Sequence, residues 1–314
     1  DYDVLIPGDY FCDVVFSGVP RLPELGAEIF TEGLTVTVGG ALNTVFALHR
    51  LGLKVGWIAR LGTDLFSRLA LEAVEHEGID TALVERLDRP FQRLTVSLSF
   101  TYDRAFVSYV DRDHGAADRT RAALGRLRCR HLHFAGLVTD PAAVSLFDLA
   151  HAQGAQVSMD CQDSPSTLSD AFVCAALKRA DLFLPNAAEA QRLAGASSVA
   201  AAGQRLLAYT TCVVVKDGAQ GAWLWSGAQR LHGEALPVTP VDTTGAGDVF
   251  NAGLLAACIE GRDLSECLRW GNVCGGLSTL GYGGAISSPA RAEVERLLAG
   301  GGLAAVTAFP VGSI

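Results

Sequence analysis

Apolar residues along this chain follow two periods, and the order in which they alternate predicts the architecture. Short, largely apolar runs bounded by glycine, proline or polar residues predict strands at 3–7, 54–59, 131–134, 156–159, 182–184 and 212–216, the last turning into a partner at 222–225. Helical spacing predicts a helix at 42–51 (Leu42, Val45, Phe46, Leu48, Leu51) stopped by Gly52, and another to about Glu77 with Asp64 as its N-cap and Gly78 after its end. Further helices are expected near 141–153, 167–179, from 249 onward, at 267–280 and near 290–298. Strict alternation at 92–110 (Leu94, Val96, Leu98, Phe100, then Phe106 and Tyr109) around the turn Tyr102-Asp103-Arg104 predicts a half-exposed hairpin. Residues 14–38, with Gly18, Pro20, Pro23, Gly26 and Gly33 between β-prone pieces, read as a second hairpin-like excursion. From 131 onward strands and helices alternate, which argues for a parallel sheet covered on both faces. In such a sheet ligands gather at the carboxyl ends of strands, where Asp160, Asn186 and Glu189 stand.

Composition narrows the function classes. At 314 residues and 49% apolar the chain has ample material for a core, in one large α/β domain or two smaller ones. Its formal charge of -9, with no run of Lys or Arg, argues against a nucleic-acid partner. Eight cysteines without a C-x-x-C pair point to reduced thiols and a cytoplasmic location. Neither a charged segment leading into an apolar one at the start nor an 18-residue apolar run is present, so neither export nor a membrane partner is expected.

The most pointed chemistry lies in Asp242-Thr243-Thr244-Gly245-Ala246-Gly247-Asp248, just before the apolar run Val249, Phe250, Leu254, Leu255. Small residues leave the backbone N–H groups of 245–247 unscreened where a helix begins, which makes an anion site. Asp248 sits inside it and could take a proton from a substrate hydroxyl while the loop holds a phosphate. The plain structural reading is a helix cap on a tight turn. A P-loop is excluded because no G-x-x-x-x-G-K-[ST] occurs, and the dinucleotide G-x-G-x-x-G fails at Phe250. Gly8-Asp9-Tyr10-Phe11, after the first strand, supplies no such fingerprint either.

With its trailing Asn251 and Gly253, this heptad resembles the C-terminal signature of the ribokinase (PfkB) family of sugar and nucleoside kinases, and the resemblance extends over essentially the whole chain. It implies one α/β ribokinase-like domain over 1–314, a central mostly parallel sheet flanked by helices, with a small β lid made from 14–38 and 91–112. It implies transfer of the γ-phosphoryl group of ATP to a hydroxyl of a sugar, sugar derivative or nucleoside, with Asp248 as base and Gly245, Ala246 and Gly247 as the anion hole. For the acceptor it implies Asp13, and Gly39, Gly40 and Asn43, although Val38 replaces the first glycine of the usual G-G-x-x-x-N spacing.

For the nucleotide the resemblance implies Asn186 and Glu189, as the N-x-x-E that helps hold Mg2+ through water, then Lys216, Gly218 and Gly221 where T-x-G-x-x-G is usual. Asn272 is expected near the base and Gly284 beside the adenine. Similarity to potassium-activated members adds a K+ site with Asp242, Thr244 and Gly284. After Asp160, Cys161-Gln162-Asp163 departs from the Asn and Arg that many sugar kinases carry. A lid with an exposed apolar face suggests a homodimer. A second reading, a sensing protein that keeps the fold without turnover, draws on these departures, and the intact Asp248 loop opposes it.

Overall fold

The protein is described here by a computed structural model that covers residues 1–100, 104–162, 164–300 and 305–308. The first half of the chain runs β1 (Tyr2–Pro7), β2 (Tyr10–Ser17), β3 (Gly33–Gly40), α1 (Ala41–Arg50), β4 (Val55–Leu61), α2 (Leu65–Glu77), β5 (Val84–Arg86), β6 (Arg93–Ser99), β7 (Arg104–Val110) and α3 (Ala116–Leu124). Then come β8 (Cys129–Phe134), α4 (Pro141–His151), β9 (Gln156–Asp160), α5 (Ala171–Leu177), β10 (Leu182–Leu184), α6 (Ala187–Ala194) and α7 (Val199–Leu206). The last part holds β11 (Cys212–Lys216), β12 (Ala222–Ser226), β13 (Gln229–Gly233), α8 (Ala246–Ile259), α9 (Leu264–Ser278), α10 (Arg291–Ala299) and β14 (Val306–Ala308).

The main sheet has the order β14-β13-β12-β11-β10-β9-β8-β1-β4-β5. From β5 to β11 neighbours pair parallel, and β12, β13 and β14 extend the sheet antiparallel. Successive residues of β1 feed two cores: Val4 and Ile6 pack with α1, α2, α8, α9 and α10, whereas Leu5 between them packs with α3 to α7. Burial on both faces explains why these strands read as apolar runs rather than as alternation. The helical hairpin α8–α9 is close because glycine lines it: a Cβ on Gly253 would stand 2.6 Å from Cys274 Sγ. The signature glycine at 253 thus has a packing reason.

A second, four-stranded sheet has the order β3-β2-β6-β7. Its register puts Asp13, Thr37, Thr95 and Ser108 in one row, and Val14, Val36, Val96 and Val107 in the next, on the opposite face. The strands extend beyond the expected boundaries at 14 and 38, because Tyr10, Cys12 and Val38 continue the alternation into buried positions. Asp13 is therefore a mid-strand residue of β2. Of the turn Tyr102-Asp103-Arg104, Tyr102 and Asp103 lie outside the described residues, as does Asp163.

Elements with weak apolar rhythm escaped the sequence reading. The Ala- and Arg-rich α3 and α7 present only a few buried side chains each, and the edge strand β14 and its neighbour β13 are short. Among the described residues no helix is long and apolar enough to cross a membrane. All eight cysteines are free.

Candidate active site

The anion loop is built by Gly245. It occupies φ 72°, ψ 0° as the N-cap of α8, a left-handed conformation that glycine adopts without steric cost. A Cβ there would stand 2.8 Å from both Asn43 Nδ2 and Gly284 Cα. The loop thereby brings its backbone against α1 and the 283–284 segment. The first-turn N–H groups of a helix have no partner one turn back, and Gly247 and Asp248, in that turn of α8, line the large cavity described below. Ala246 N–H is spent on Thr243 O at 3.3 Å.

Asp248, in the first turn of α8, accepts a hydrogen bond from Asn43 Nδ2 at 2.9 Å. Burial, with the charge of Asp160 next and Glu189 adding, pushes its carboxyl from 3.8 up to about 7, against the pull of Asn43 and Lys216. Asn43 is buried in α1, and its Oδ1 has no partner. On β2, burial and the charge of Asp242 raise Asp13 to about 6. The Asp13 carboxylate fills the space where a Cβ on Gly39 would go, and Asn43 Nδ2 lies 3.8 Å from that same point. Asp13, Gly39, Asn43 and Asp248 thus converge from four parts of the chain. Gly40, at φ 66°, turns β3 into α1 beneath them.

Opposite stands a buried cluster that the sequence reading did not assemble. Lys216 Nζ, at the end of β11, donates to Asp160 Oδ2 at 2.8 Å and to Asn251 Oδ1 at 3.2 Å. Asn251 Nδ2 donates to the same Asp160 Oδ2 at 2.6 Å. Lys216 Nζ also faces the anion loop, 3.4 Å from where a Cβ on Gly247 would be. The signal for Asn251 was its place three residues after Asp248, one helical turn along the same face. For Asp160 it was the end of β9.

Beyond this cluster opens a cavity of about 690 Å³ lined by Asn186, Glu189, Lys216, Gly218, Gly221 and the loop 245–248 at its polar end. Its far end is walled by Leu236, Pro237, Val238 and Asn272, with Gly275 and Gly276 of α9 leaving a flat side. Asn272 Nδ2 is buried there without a partner. Asn186 and Glu189 form a complete capping box on α6, with bonds of 2.9 and 2.8 Å. Burial and Asp160 raise the Glu189 carboxyl above its usual range. A smaller cavity of about 380 Å³ lies on the other side, lined by Asp9, Phe11, Gly40, Arg93 and Gly136. Gln162, the one non-glycine residue at positive φ (61°) among those described, lines both.

Two expectations are corrected. Gly284 does not flank the far end of the large cavity: it packs on Gly245 Cα and Thr244 O beside Asn43. The donors proposed for K+ are already engaged. Asp242 Oδ1 accepts from Thr244 N at 2.9 Å and Thr244 Oγ1 at 2.7 Å, Oδ2 accepts from Gly283 N at 3.0 Å, and Arg104 Nη1 donates to Thr244 Oγ1 at 2.8 Å. A guanidinium already sits on these oxygens, so the side chains do not fit a monovalent ion.

Proteins similar to this chain in sequence and fold include sugar kinases. The chain is 28% identical to a fructokinase of Vibrio alginolyticus, over 88% of this chain and 95% of that protein. It is 26% identical to a ribokinase of Bacillus subtilis, over 94% of this chain and 99% of that one. The Arabidopsis thaliana ribokinase solved with ribose and ATP superposes with a TM-score of 0.77 at 22% identity, covering 95% of this chain and 98% of the other, so the two share the ribokinase fold. Residues 31–291 match the model of the pfkB family of carbohydrate kinases, and the chain belongs to that family.

Proposed function

We propose that the protein transfers the γ-phosphoryl group of ATP to a hydroxyl of a sugar, sugar derivative or nucleoside, with Asp248 as the base. The observation that carries this reading is the partly buried Asp248 carboxyl, bonded to Asn43 in the first turn of α8 and raised to about 7. A base works best when its pKa lies near the working pH, and the loop N–H groups stand where charge develops on the moving phosphoryl group. Lys216 faces the same point from the nucleotide side. Phosphoryl transfer depends mainly on positioning and electrostatics, and these groups supply both. The retained base and loop weigh against a sensing protein without turnover.

The large cavity suits ATP, its flat apolar end taking the base and its polar end the phosphates. Burial and the charge of Asp160 raise both Asp248 and Glu189, against the pull of Lys216 on both and of Arg192 on Glu189, and this gathering of carboxylates fits magnesium arriving on the nucleotide. Glu189 and Asn186 would hold that ion through water, and it would neutralise the phosphates when bound. Asp13, Gly39, Gly40 and Asn43 would orient the acceptor under the second sheet, which would act as a lid. The V. alginolyticus and B. subtilis relatives, named fructokinase and ribokinase, point to a sugar acceptor. The free thiols fit a cytoplasmic enzyme. The apolar outer face of the lid (Leu34, Val36, Val107 and Tyr109, all exposed) would pair with a second copy.

An ATP-consumption assay over a panel of sugars and nucleosides tests this reading. One acceptor turned over with stoichiometric ADP release is the expected result, and no turnover on a broad panel would favour the sensing protein.

A further inference from the structure

A guanidinium on the second sheet grips the start of the anion loop. Arg104 opens β7 opposite Ser99, on the sheet face that also carries Asp13 and Thr37. Its Nη1 donates to Thr244 Oγ1 at 2.8 Å and lies 3.4 Å from Asp242 Oδ1, and its Nη2 donates to Thr243 Oγ1 at 2.8 Å. Three consecutive residues, 138 to 140 positions away in sequence, are therefore held by one side chain. The next residue is Gly245, whose left-handed conformation sets the direction of α8 and of its N–H groups. Asp242 passes the restraint on to Gly283 through its other oxygen.

The planar fork of arginine suits such bridging, because its donors are fixed in direction and its charge is permanent. A lysine or a bound ion would supply charge without that geometry. The Arg104 side chain is 32% exposed, so the contact belongs to the edge of the site and not to the core that stabilises the fold.

We propose that Arg104 is a positioning residue for phosphoryl transfer. It docks β7 onto Asp242, Thr243 and Thr244, so that the N–H groups following Gly245 keep their arrangement only while the second sheet lies over the site. Its guanidinium also supplies the positive charge that a monovalent ion would otherwise bring to these oxygens. The proposal rests on the kinase reading above.

Hydrogen–deuterium exchange on the full chain without ligand tests the docking independently of turnover. In Arg104→Met the amides at 242–248 and in β7 should exchange about tenfold faster, the scale of one lost charge-assisted hydrogen bond. With MgATP and D-fructose or D-ribose, kcat should fall at least roughly tenfold while KM for the sugar stays within about threefold, the pattern of a lost transition-state arrangement. Methylguanidinium should restore part of the rate to Arg104→Ala, and wild-type rates in potassium and tetramethylammonium buffers should agree. Unchanged exchange at 242–248 overturns the proposal. So does a potassium requirement in the wild type, or a loss confined to sugar KM, which would make Arg104 an acceptor-binding side chain. If the wild type phosphorylates no sugar and no nucleoside, the kinase reading fails, and the exchange measurement still decides whether Arg104 holds the loop.

Discussion

A carboxylate that takes a proton from an alcohol near neutral pH has to be kept from ionising too easily, and the folded chain achieves this at Asp248 by burial and by the neighbouring Asp160. The same shift costs stability. With the folded pKa near 7 and the ordinary value at 3.8, Asp248 favours folding fully only below about pH 4, and that contribution is lost as pH rises toward 7 and above. Asp248→Asn, which keeps size and polarity without charge, should therefore raise the melting temperature at pH 8, by on the order of 1–3 kcal/mol of stability. Calorimetry should show the gain narrowing as pH falls toward 4. Turnover of the same variant should drop by on the order of 10² to 10⁴, whereas a mere helix cap would lose roughly 1 kcal/mol and keep its activity. For the wild type, kcat/KM should climb through about pH 7 as Asp248 ionises. A profile flat from pH 5 to 9 would assign the base elsewhere. Asp248 was legible in the sequence because the loop around it is local, but its pKa was not, since Asp160 and Glu189 reach it from the end of β9 and the first turn of α6.

At the scale of elements, the loop–helix junctions hold the site, and their glycines differ in what they tolerate. Gly245 combines φ 72° with a crowded Cβ position, 2.8 Å from Asn43 Nδ2, whereas Gly218 at φ 53° faces open space. Gly245→Ala should cost about 3 kcal/mol or more from strain and displacement together, and should abolish most turnover. Gly218→Ala should cost only about 1–2 kcal/mol from its left-handed backbone. Melting curves and initial rates on the pair check this, and equal effects at both would mean that the Asn43 contact does not constrain the loop. Glycine spacing in the sequence marks both positions alike. Only the approach of α1 and Gly284 separates them. The capping box at Asn186 and Glu189 teaches the converse, since an N-x-x-E spacing forms a cap from neighbours three residues apart, and the structure makes it one while also lining the cavity with both residues.

At the scale of the molecule, the second sheet divides its chemistry between two faces: Asp13, Thr37 and Arg104 turn toward the site, and Leu34, Val36, Val107 and Tyr109 are exposed on the other side. Pairing of that face with a second copy predicts a dimer in sedimentation analysis. Val36→Lys with Val107→Lys should give a monomer with little change in fold, and a monomeric wild type at micromolar concentration would end this idea. Sequence alone determined what depends on near neighbours: the parallel α/β alternation, the caps at Asp64 and Asn186, the Gly245-to-Asp248 turn and the alternating strands of the second sheet, because periodicity and turn chemistry act over a few residues. Tertiary structure decided the rest. Lys216 meets Asp160 and Asn251, Asn43 meets Asp248 across 205 positions, and Arg104 reaches Thr244. Each of these contacts is set by sheet order and strand register, which bring distant strand ends to one edge, and no local spacing encodes which side chains will face each other there.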